Sequence, residues 1–398
     1  MSAEVANAAQ TTQSMAERAR QATIGAFKTT MGAIQTNSGT VFMMVFVALI
    51  LIALLVTVSI VVKNSAPRDS VKRANTSSMT SKLEAVPVKM AGLPPKDARA
   101  QYDLRDYYIK TAYNCCLNGP VRGGYVDTEA LVAVIRQGAR VLDFEVFSID
   151  NKAVIAASDS DSFDYKSTLN GLDFGEAMDT VKRYALSGSG CPNYTDPLIL
   201  HFRIKSTQPE VYDQMASALR TNFSPEMLGP AYSYESNGEN FGAEPITGLI
   251  GKVIVAVDAR NPKYRSTKLD EFVNFTTGSQ VARILTDNEI QYGHSVDELT
   301  EYNKKYMTMT TPTLTGSSNS SANLHMKYGC QMIGMNFSQV DSNLKYYCGI
   351  FNDAGLAYVL KPDDLRYKVV TIPEPTPQDP KLSYARKTIE KPYFKMSI

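Results

Sequence analysis

Short apolar runs alternate with amphipathic stretches between residues 101 and 372. The runs have the length of buried parallel strands and are Val141–Phe147, Ala153–Ala157, Pro197–Ile204, Lys252–Val257, Phe272–Phe275, Cys330–Phe337 and Ala357–Leu360. The amphipathic stretches with helical spacing include Thr128–Gln137, Gly175–Leu186 and Glu210–Thr221. Strands that alternate with helices are typical of an α/β fold with a parallel sheet. We therefore predict a TIM-like (β/α)8 barrel over residues 101–372.

An uncharged stretch precedes this region. Val41 to Val62 contains only Thr57 and Ser59 as polar residues. As a helix with about 1.5 Å per residue it would measure roughly 33 Å, which exceeds a hydrocarbon core of about 30 Å. It is also longer than the apolar part of a signal peptide, at about 7–15 residues, and residues 1–40 precede it. We predict one transmembrane helix at 41–62, and hence a single-pass membrane protein.

The remaining segments differ in composition. Residues 1–40 are polar with some apolar residues at helical spacing, which predicts a partly helical segment. Residues 63–100 are rich in basic residues, Ser, Thr and Pro, and predict a linker. Residues 373–398 contain prolines that predict an extended tail, at Pro373, Pro375, Pro377, Pro380 and Pro392.

Basic residues follow the predicted span closely, at Lys63, Arg68, Lys72 and Arg73. The preceding side has Lys28 and, further away, Arg20 and Arg18. This bias favours a cytoplasmic location for the barrel domain. The same residues could attract anionic lipid headgroups or serve only as flanking charges.

Composition excludes several classes of function. The formal net charge is +1, which gives no reason to expect a nucleic-acid partner. The five cysteines show no spacing of a zinc site or a disulfide framework. The chain has only three histidines, His201, His294 and His325, which is few for a hydrolase that needs acid and base groups near neutral pH.

Two stretches resemble a known family. Tyr328–Arg366, which contains YGCQMIGMNF and AYVLKPDDLR, resembles the Y half of the catalytic barrel of eukaryotic phosphoinositide-specific phospholipase C. Ile109–Ser158, which contains RQGARVLDFEVF, resembles the X half. We assign the X-like half to 101–225 and the Y-like half to 290–372. The resemblance implies a distorted (β/α)8 barrel, and in the family this barrel hydrolyses phosphodiesters with two histidines and a bound calcium ion.

The histidines of the family are missing here. At the two matching positions this sequence has Tyr113 and Ala157. A tyrosine with an ordinary pKa near 10 is a poor replacement for an imidazole at pH 7, and an alanine transfers no proton. No histidine lies between Tyr113 and His201. His201 remains as a candidate for a relocated base, or as a packed interior histidine.

The calcium ligands of the family are partly kept. The resemblance places them at Asn114, Asp143, Glu145 and Arg203, so that an arginine replaces one carboxylate. A positive charge there is incompatible with a bound cation, since like charges repel strongly at short distance. Arg203 could instead form a fork with Asp143 or Glu145. We therefore expect a vestigial site that binds no metal.

The phosphate-binding positions are also altered. Ala256 and Asp258 stand where the resemblance implies lysines, and Asp258 would repel a phosphate. Ser318, in the segment Gly316-Ser317-Ser318-Asn319, and Tyr358 match ligand-binding residues of the family. We keep these two as candidate ligand contacts.

The sequence favours a membrane-anchored, catalytically inactive phospholipase C-like barrel that acts as a binding or structural module, without a cofactor. Its expected partners are the lipid bilayer, anionic lipid headgroups and other proteins. The alternative is an active phosphoric diester hydrolase that uses Asp143, Glu145 and His201, in which case calcium would be expected. A membrane span before a degenerate enzyme domain would also suit a membrane protein of a large DNA virus or of a protist.

Overall fold

The structure is a computed structural model. It describes residues 20–26, 29, 38–161, 165–293, 295–313, 318–368, 375, 377–379, 382 and 385–398. Within the long helix that begins at Ser38, side chains are described only for residues 42–57 and 68–84. Most of the predicted segment 1–40 lies outside the described residues, as do Pro373 and Pro380 of the predicted tail.

The strands are β1 (Tyr107–Ala112), β2 (Val141–Ile149), β3 (Lys152–Ala156), β4 (Leu172–Asp173), β5 (Leu198–Lys205), β6 (Val253–Asp258), β7 (Phe275–Thr277), β8 (Ala282–Thr286), β9 (Met307–Thr311), β10 (Met332–Met335), β11 (Tyr358–Leu360), β12 (Thr388–Lys391) and β13 (Phe394–Ser397). The longer helices are α1 (Ser38–Glu84), α2 (Thr128–Arg136), α3 (Phe174–Ala185), α4 (Pro209–Phe223), α5 (Asp287–Tyr292), α6 (Val296–Lys305), α7 (Ala322–Lys327) and α8 (Ser342–Ala354).

Eight parallel strands form the barrel wall, in the order β7-β6-β5-β2-β1-β10-β9-β8. Among the described strands, β7 and β8 form no ladder with each other, so the barrel is nearly closed. β3 pairs antiparallel with β2, and β11 pairs antiparallel with β1. The predicted TIM-like barrel is therefore confirmed.

The core follows from strands that are apolar on both faces. β6 is buried at every position from Val253 to Asp258, as expected for a strand between a barrel interior and an outer helix. Phe144 and Phe202 face each other across β2 and β5, with ring centroids 5.7 Å apart. The predicted strand Phe272–Phe275 was misplaced: β7 begins at Phe275, because a 3-10 turn occupies residues 270–272.

α1 is a single helix of 47 residues that continues through much of the predicted linker. The linker prediction was therefore wrong as far as Glu84. Thr76, Met79 and Leu83 are buried at a spacing of three and four residues, and this short buried stripe packs on the barrel. The residues between these positions are mostly Ser, Thr and Lys, so the composition of the segment does not indicate a buried stripe.

The predicted transmembrane segment 41–62 falls within α1, and the side chains of 58–67 are outside the described ones. Among the residues that the structure describes, none of the helices has both the length and the apolar character that a membrane crossing needs.

The sequence predicts an extended tail, but the last part of the tail forms a β-hairpin. Thr388–Lys391 pairs antiparallel with Phe394–Ser397, from Thr388 opposite Ser397 to Lys391 opposite Phe394. A two-residue connection, Pro392-Tyr393, joins these strands. Alternating residues such as Ile389, Phe394 and Met396 favour this hairpin, although Pro392 suggested an irregular chain.

Candidate functional site

The carboxyl ends of the parallel strands bring the candidate residues together. In the register of β2 and β5, Asp143 lies opposite His201, and Glu145 lies opposite Arg203. Residues two apart in a strand point to the same side, so these four side chains all face the barrel interior. Asn114 follows β1 with a φ of 45°, and its backbone N–H donates to Asp143 Oδ2 at 3.0 Å.

Arg203 is at the centre of this cluster. Its Nε donates to Asp143 Oδ1 at 3.0 Å and its Nη2 to Asp143 Oδ2 at 2.9 Å, which makes a two-pronged fork. Nη2 also donates to Asn114 Oδ1 at 2.6 Å, and Nη1 lies 3.6 Å from Glu145 Oε2. The guanidinium therefore contacts all three of the other residues that resemble calcium ligands.

The pKa values of Asp143 and Glu145 are shifted in opposite directions. Burial would raise the pKa of Asp143, but the Arg203 charge and the hydrogen bond from His201 outweigh it and hold that pKa well below its ordinary value. Burial raises the pKa of Glu145 more than Arg203 and the Ser158 N–H lower it. Asp143 is thus the main counter-ion of Arg203, whose own pKa is raised well above its ordinary value, because the two carboxylates outweigh its burial.

This arrangement does not fit a calcium ion. Calcium binds six to eight oxygen atoms, whereas a positively charged guanidinium occupies the space between Asn114, Asp143 and Glu145. Within the described residues, no group of three or more His, Cys, Asp and Glu side chains could hold a metal ion.

Tyr113 and Ala157 are both buried beside the cluster. Arg203 Cζ lies 4.4 Å from the centroid of the Tyr113 ring, so the phenol stacks on the guanidinium. Burial raises the pKa of Tyr113, which keeps the phenol neutral. Ala157 is fully buried, and its carbonyl accepts the N–H of Ser167 at 2.8 Å. Tyr113 therefore packs against Arg203, and Ala157 holds the loop that contains Ser167 beside the site.

His201 is an interior residue with 1% of its surface exposed. Its Nδ1 is 2.7 Å from Asp143 Oδ1, and its Nε2 is 2.8 Å from Thr277 Oγ1. Both ring nitrogens are thus engaged by protein groups, and neither faces a space where a substrate could bind. The position suits a packed histidine that orients Asp143.

A pocket of about 250 Å³ opens beside Arg203 at the carboxyl end of β5 and β6. Sequence reasoning missed three residues of its lining, Lys205, Arg260 and Asp161. Lys205 Nζ donates to the Asp161 carbonyl at 3.0 Å, and Arg260 Nη2 is 2.6 Å from Asp258 Oδ2. Lys205 follows Arg203 by two residues in β5, so strand alternation could have identified it. Arg260 lies in a loop and gave no such signal.

The two candidate ligand contacts do not meet at this pocket. Ser318 is exposed, and Gly316 and Ser317 lie outside the described residues. Tyr358 was predicted to bind a ligand, but it is fully buried and its hydroxyl donates to the Pro197 carbonyl at 2.9 Å. Pro197 precedes β5, so Tyr358 belongs to the core at the opposite end of the barrel.

The basic cluster near the predicted span is only partly available. Arg68 and Arg73 are exposed, whereas Lys72 Nζ lies 3.6 Å from Asp127 Oδ2. The side chain of Lys63 is outside the described ones.

Comparison with known proteins identifies a family segment and two similar structures. Residues 259–364 match the family model of the phosphatidylinositol-specific phospholipase C, Y domain. This match begins before the Y-like half that we assigned to 290–372. The crystal structures of PLC21 from L. pealei and PLC21 from S. officinalis are similar to the chain, each with 18% identity and a TM-score of 0.53. Each similarity covers 67% of this chain and 38% of the other protein. A comparison with curated proteins gave no match.

The barrel is therefore similar in fold to that of these two phospholipases C, and residues 259–364 match the Y domain of the family, as the motifs predicted. Its similarity covers well under half the length of the two PLC21 proteins.

Proposed function

We propose that this protein is a membrane-anchored, catalytically inactive phospholipase C-like barrel that serves as a binding or structural module. The observation that supports inactivity best is the position of Arg203. Its guanidinium fills the space between Asn114, Asp143 and Glu145 with a permanent positive charge. A reaction that depends on a divalent cation at this place has no room for it.

The surrounding residues support the same proposal. Phosphodiester hydrolysis needs groups that transfer protons near neutral pH. Tyr113 has a raised pKa and stacks on Arg203, while Ala157 has no titratable group. An active enzyme would have to use His201, whose two ring nitrogens are already bonded to Asp143 and Thr277.

The membrane attachment is supported by the first part of α1. From Phe42 to Val56, large apolar side chains are exposed around the whole helix, among them Phe42, Met44, Phe46, Leu54 and Leu55. A helix that is apolar on all faces needs an apolar surrounding on all faces. A lipid bilayer provides this, whereas a groove on a protein covers one side.

The first experiment is to measure hydrolysis of phosphatidylinositol and of its bisphosphate by the full chain in mixed micelles, with calcium and with chelator. We expect no turnover in either condition. Calcium-dependent turnover would contradict inactivity, and its loss in His201→Ala would establish the alternative enzyme.

The second experiment is vesicle flotation of the full chain and of a chain that begins at Ser70. We expect only the full chain to float with the vesicles. Equal recovery of both chains in the soluble fraction would refute the proposed anchor.

A further inference from the structure

The contacts between α1 and α2 define a direction along the barrel. Asp127 caps α2 in the loop after β1, at the carboxyl end of the strands, where the site described above lies. Thr76 Oγ1 donates to Asp127 Oδ2 at 2.9 Å and accepts a hydrogen bond from Asn118 Nδ2 at 2.7 Å. Thr76 is therefore at the mouth of the barrel, by which we mean the end that holds the Arg203 cluster.

The next two turns of α1 reach the opposite end. Gln137 follows α2 and precedes β2, and its Nε2 donates to the Leu83 carbonyl at 2.8 Å. Beyond α1, Ala91 N–H donates to the Gly355 carbonyl at 3.0 Å, and Leu93 N–H donates to Asp196 Oδ1 at 2.6 Å. Gly355 follows α8, and Asp196 precedes β5. Both residues therefore lie at the end of the barrel opposite the mouth, which we call the base. The segment 72–93 therefore runs from mouth to base as its residue numbers rise.

This attachment is extensive. Met79, Leu83, Met90 and Leu93 are each at most 7% exposed, and Thr76 is buried among polar partners. Burial of large apolar side chains stabilises the folded state. The segment is thus part of the folded barrel, and its direction is fixed relative to the strands.

Residues before Lys72 must therefore leave the barrel on the mouth side. α1 continues without interruption to Ser38. The ten residues between Val62 and Lys72 correspond to about 15 Å of helix. Pro67 lies in this part, and a proline bends a helix but does not reverse its direction.

We infer that α1 is a stalk that turns the mouth of the barrel towards the membrane surface and holds it about 15 Å from the apolar layer. This inference rests on the proposed membrane attachment. The partner of this face is a lipid surface with anionic headgroups. Arg68 and Arg73 on the stalk are exposed. The Arg122 side chain beside the mouth is 78% exposed, and its Nε donates to Asp159 Oδ2 at 2.8 Å. Basic residues near such a surface are attracted to it.

The test places a fluorescent label at either end of the barrel. Arg122→Cys labels the mouth, and Ser189→Cys labels the exposed turn between α3 and β5 at the base. The native cysteines are all buried, so the introduced thiol reacts selectively. The full chain is placed in vesicles of phosphatidylcholine and phosphatidylserine that carry a spin-label quencher on the headgroups. The control chain has a six-residue Gly-Ser insertion after Arg68, which interrupts the stalk and leaves 72–93 intact.

Because about 15 Å of helix separates the mouth from the apolar layer, we expect roughly twofold quenching at position 122 and none at position 189. The inserted chain should show nearly equal quenching at both positions. Stronger quenching at 189 than at 122, or equal quenching in the uninterrupted chain, would overturn the orientation. Flotation of the same samples separates this result from a failure of the anchor: a chain that does not float refutes the attachment and the orientation together.

Discussion

The Tyr113 ring lies over the Arg203 guanidinium, with 4.4 Å between Arg203 Cζ and the ring centroid. These two residues replace a catalytic histidine and a metal-binding carboxylate at the positions that the family resemblance identified. They also contact each other, so the two replacements form one packed unit. The stack covers one face of the Arg203 guanidinium, and both side chains are buried.

Removal of the Arg203 charge should strongly destabilise the barrel. Arg203→Met leaves the Asp143 carboxylate buried without its fork, and breaking such a pair costs about 3–5 kcal/mol. The measurement is the free energy of unfolding in urea. Asp143→Asn combined with Arg203→Met should recover part of the loss, because position 143 then carries no buried charge that lacks its fork.

A matched control for this variant is Arg283→Met. Arg283 also stacks on a tyrosine, Tyr302 at 3.8 Å, and pairs with a carboxylate, Glu298 at 2.7 Å, but the pair is partly exposed. Exposed ion pairs contribute about 0–1 kcal/mol, so this substitution should have a small effect. Equal losses in the two variants would show that burial of the Arg203 fork is unimportant.

Reversal of the charge at position 203 should restore an oxygen-rich cation site. Arg203→Glu places four oxygen-bearing side chains together, with Asn114, Asp143 and Glu145 as the others, and these are ligands of the type that calcium prefers. In chelator this variant should be less stable than the natural chain. Calcium at a hundred times its dissociation constant should then stabilise it by about 2.7 kcal/mol.

The readout is the thermal midpoint with and without calcium, which needs no enzymatic activity. Arg203→Gln serves as the neutral control and should not respond to calcium, nor should the natural chain. A calcium response of the natural chain would contradict the proposed role of Arg203.

Lys361 should make the stability depend on pH in the alkaline range. This lysine is 1% exposed, and its Nζ donates to the Asn303 carbonyl at 2.9 Å. Burial lowers its pKa from 10.5 to about 7, despite the nearby Asp106. Between these two values the unfolded chain binds a proton that the folded chain lacks, so the free energy of unfolding should rise with pH from about 7 to about 10.5. The rise should be several kcal/mol at most, at about 1.4 kcal/mol per pKa unit.

The measurement is urea unfolding at several pH values across this window. Lys361→Met removes the titrating group and should flatten the slope, while Lys395→Met, which changes an exposed lysine of β13, should leave it unchanged. An equal slope in Lys361→Met would show that another group is responsible.

Truncation should reveal that the folded unit begins before residue 101. A chain that begins at Gln101 lacks Met79, Leu83, Met90 and Leu93, and the loss of each large buried side chain costs about 2–5 kcal/mol. Their sum approaches the stability of a typical domain. We expect this chain to aggregate or to unfold at a much lower temperature than a chain that begins at Ser70. Similar thermal midpoints would mean that the segment 72–93 is only loosely attached.

The sequence predicted the barrel and the polar pairs of β2 and β5 because strand alternation places Asp143, Glu145, His201 and Arg203 on one side. It did not predict the docking of α1. That stripe consists of a few apolar positions among polar ones, and its contacts are made with residues far away along the chain, such as Asp127 and Gln137. Composition therefore indicated a linker.

Tyr358 shows a second reason for a wrong prediction. Its motif matches the family, but its hydroxyl bonds to the Pro197 carbonyl in the core. A motif can be kept for packing as well as for ligand binding, and only the three-dimensional position separates the two roles. The same holds for Arg260, which reaches the pocket from a loop whose path the sequence pattern does not determine.

The attachment of residues 72–93 also has a consequence for biosynthesis. Lys89 N–H donates to Asn352 Oδ1 across 263 residues, and the neighbouring Ala91 bonds to Gly355. Lys89 is thus synthesised 263 residues before Asn352, which is part of the docking surface of this segment. Contacts of such long sequence separation form late in folding. The residues around Lys89 and Ala91 therefore remain uncovered until Asn352 and Gly355 have been synthesised, which makes them a natural place for a chaperone to hold the nascent chain.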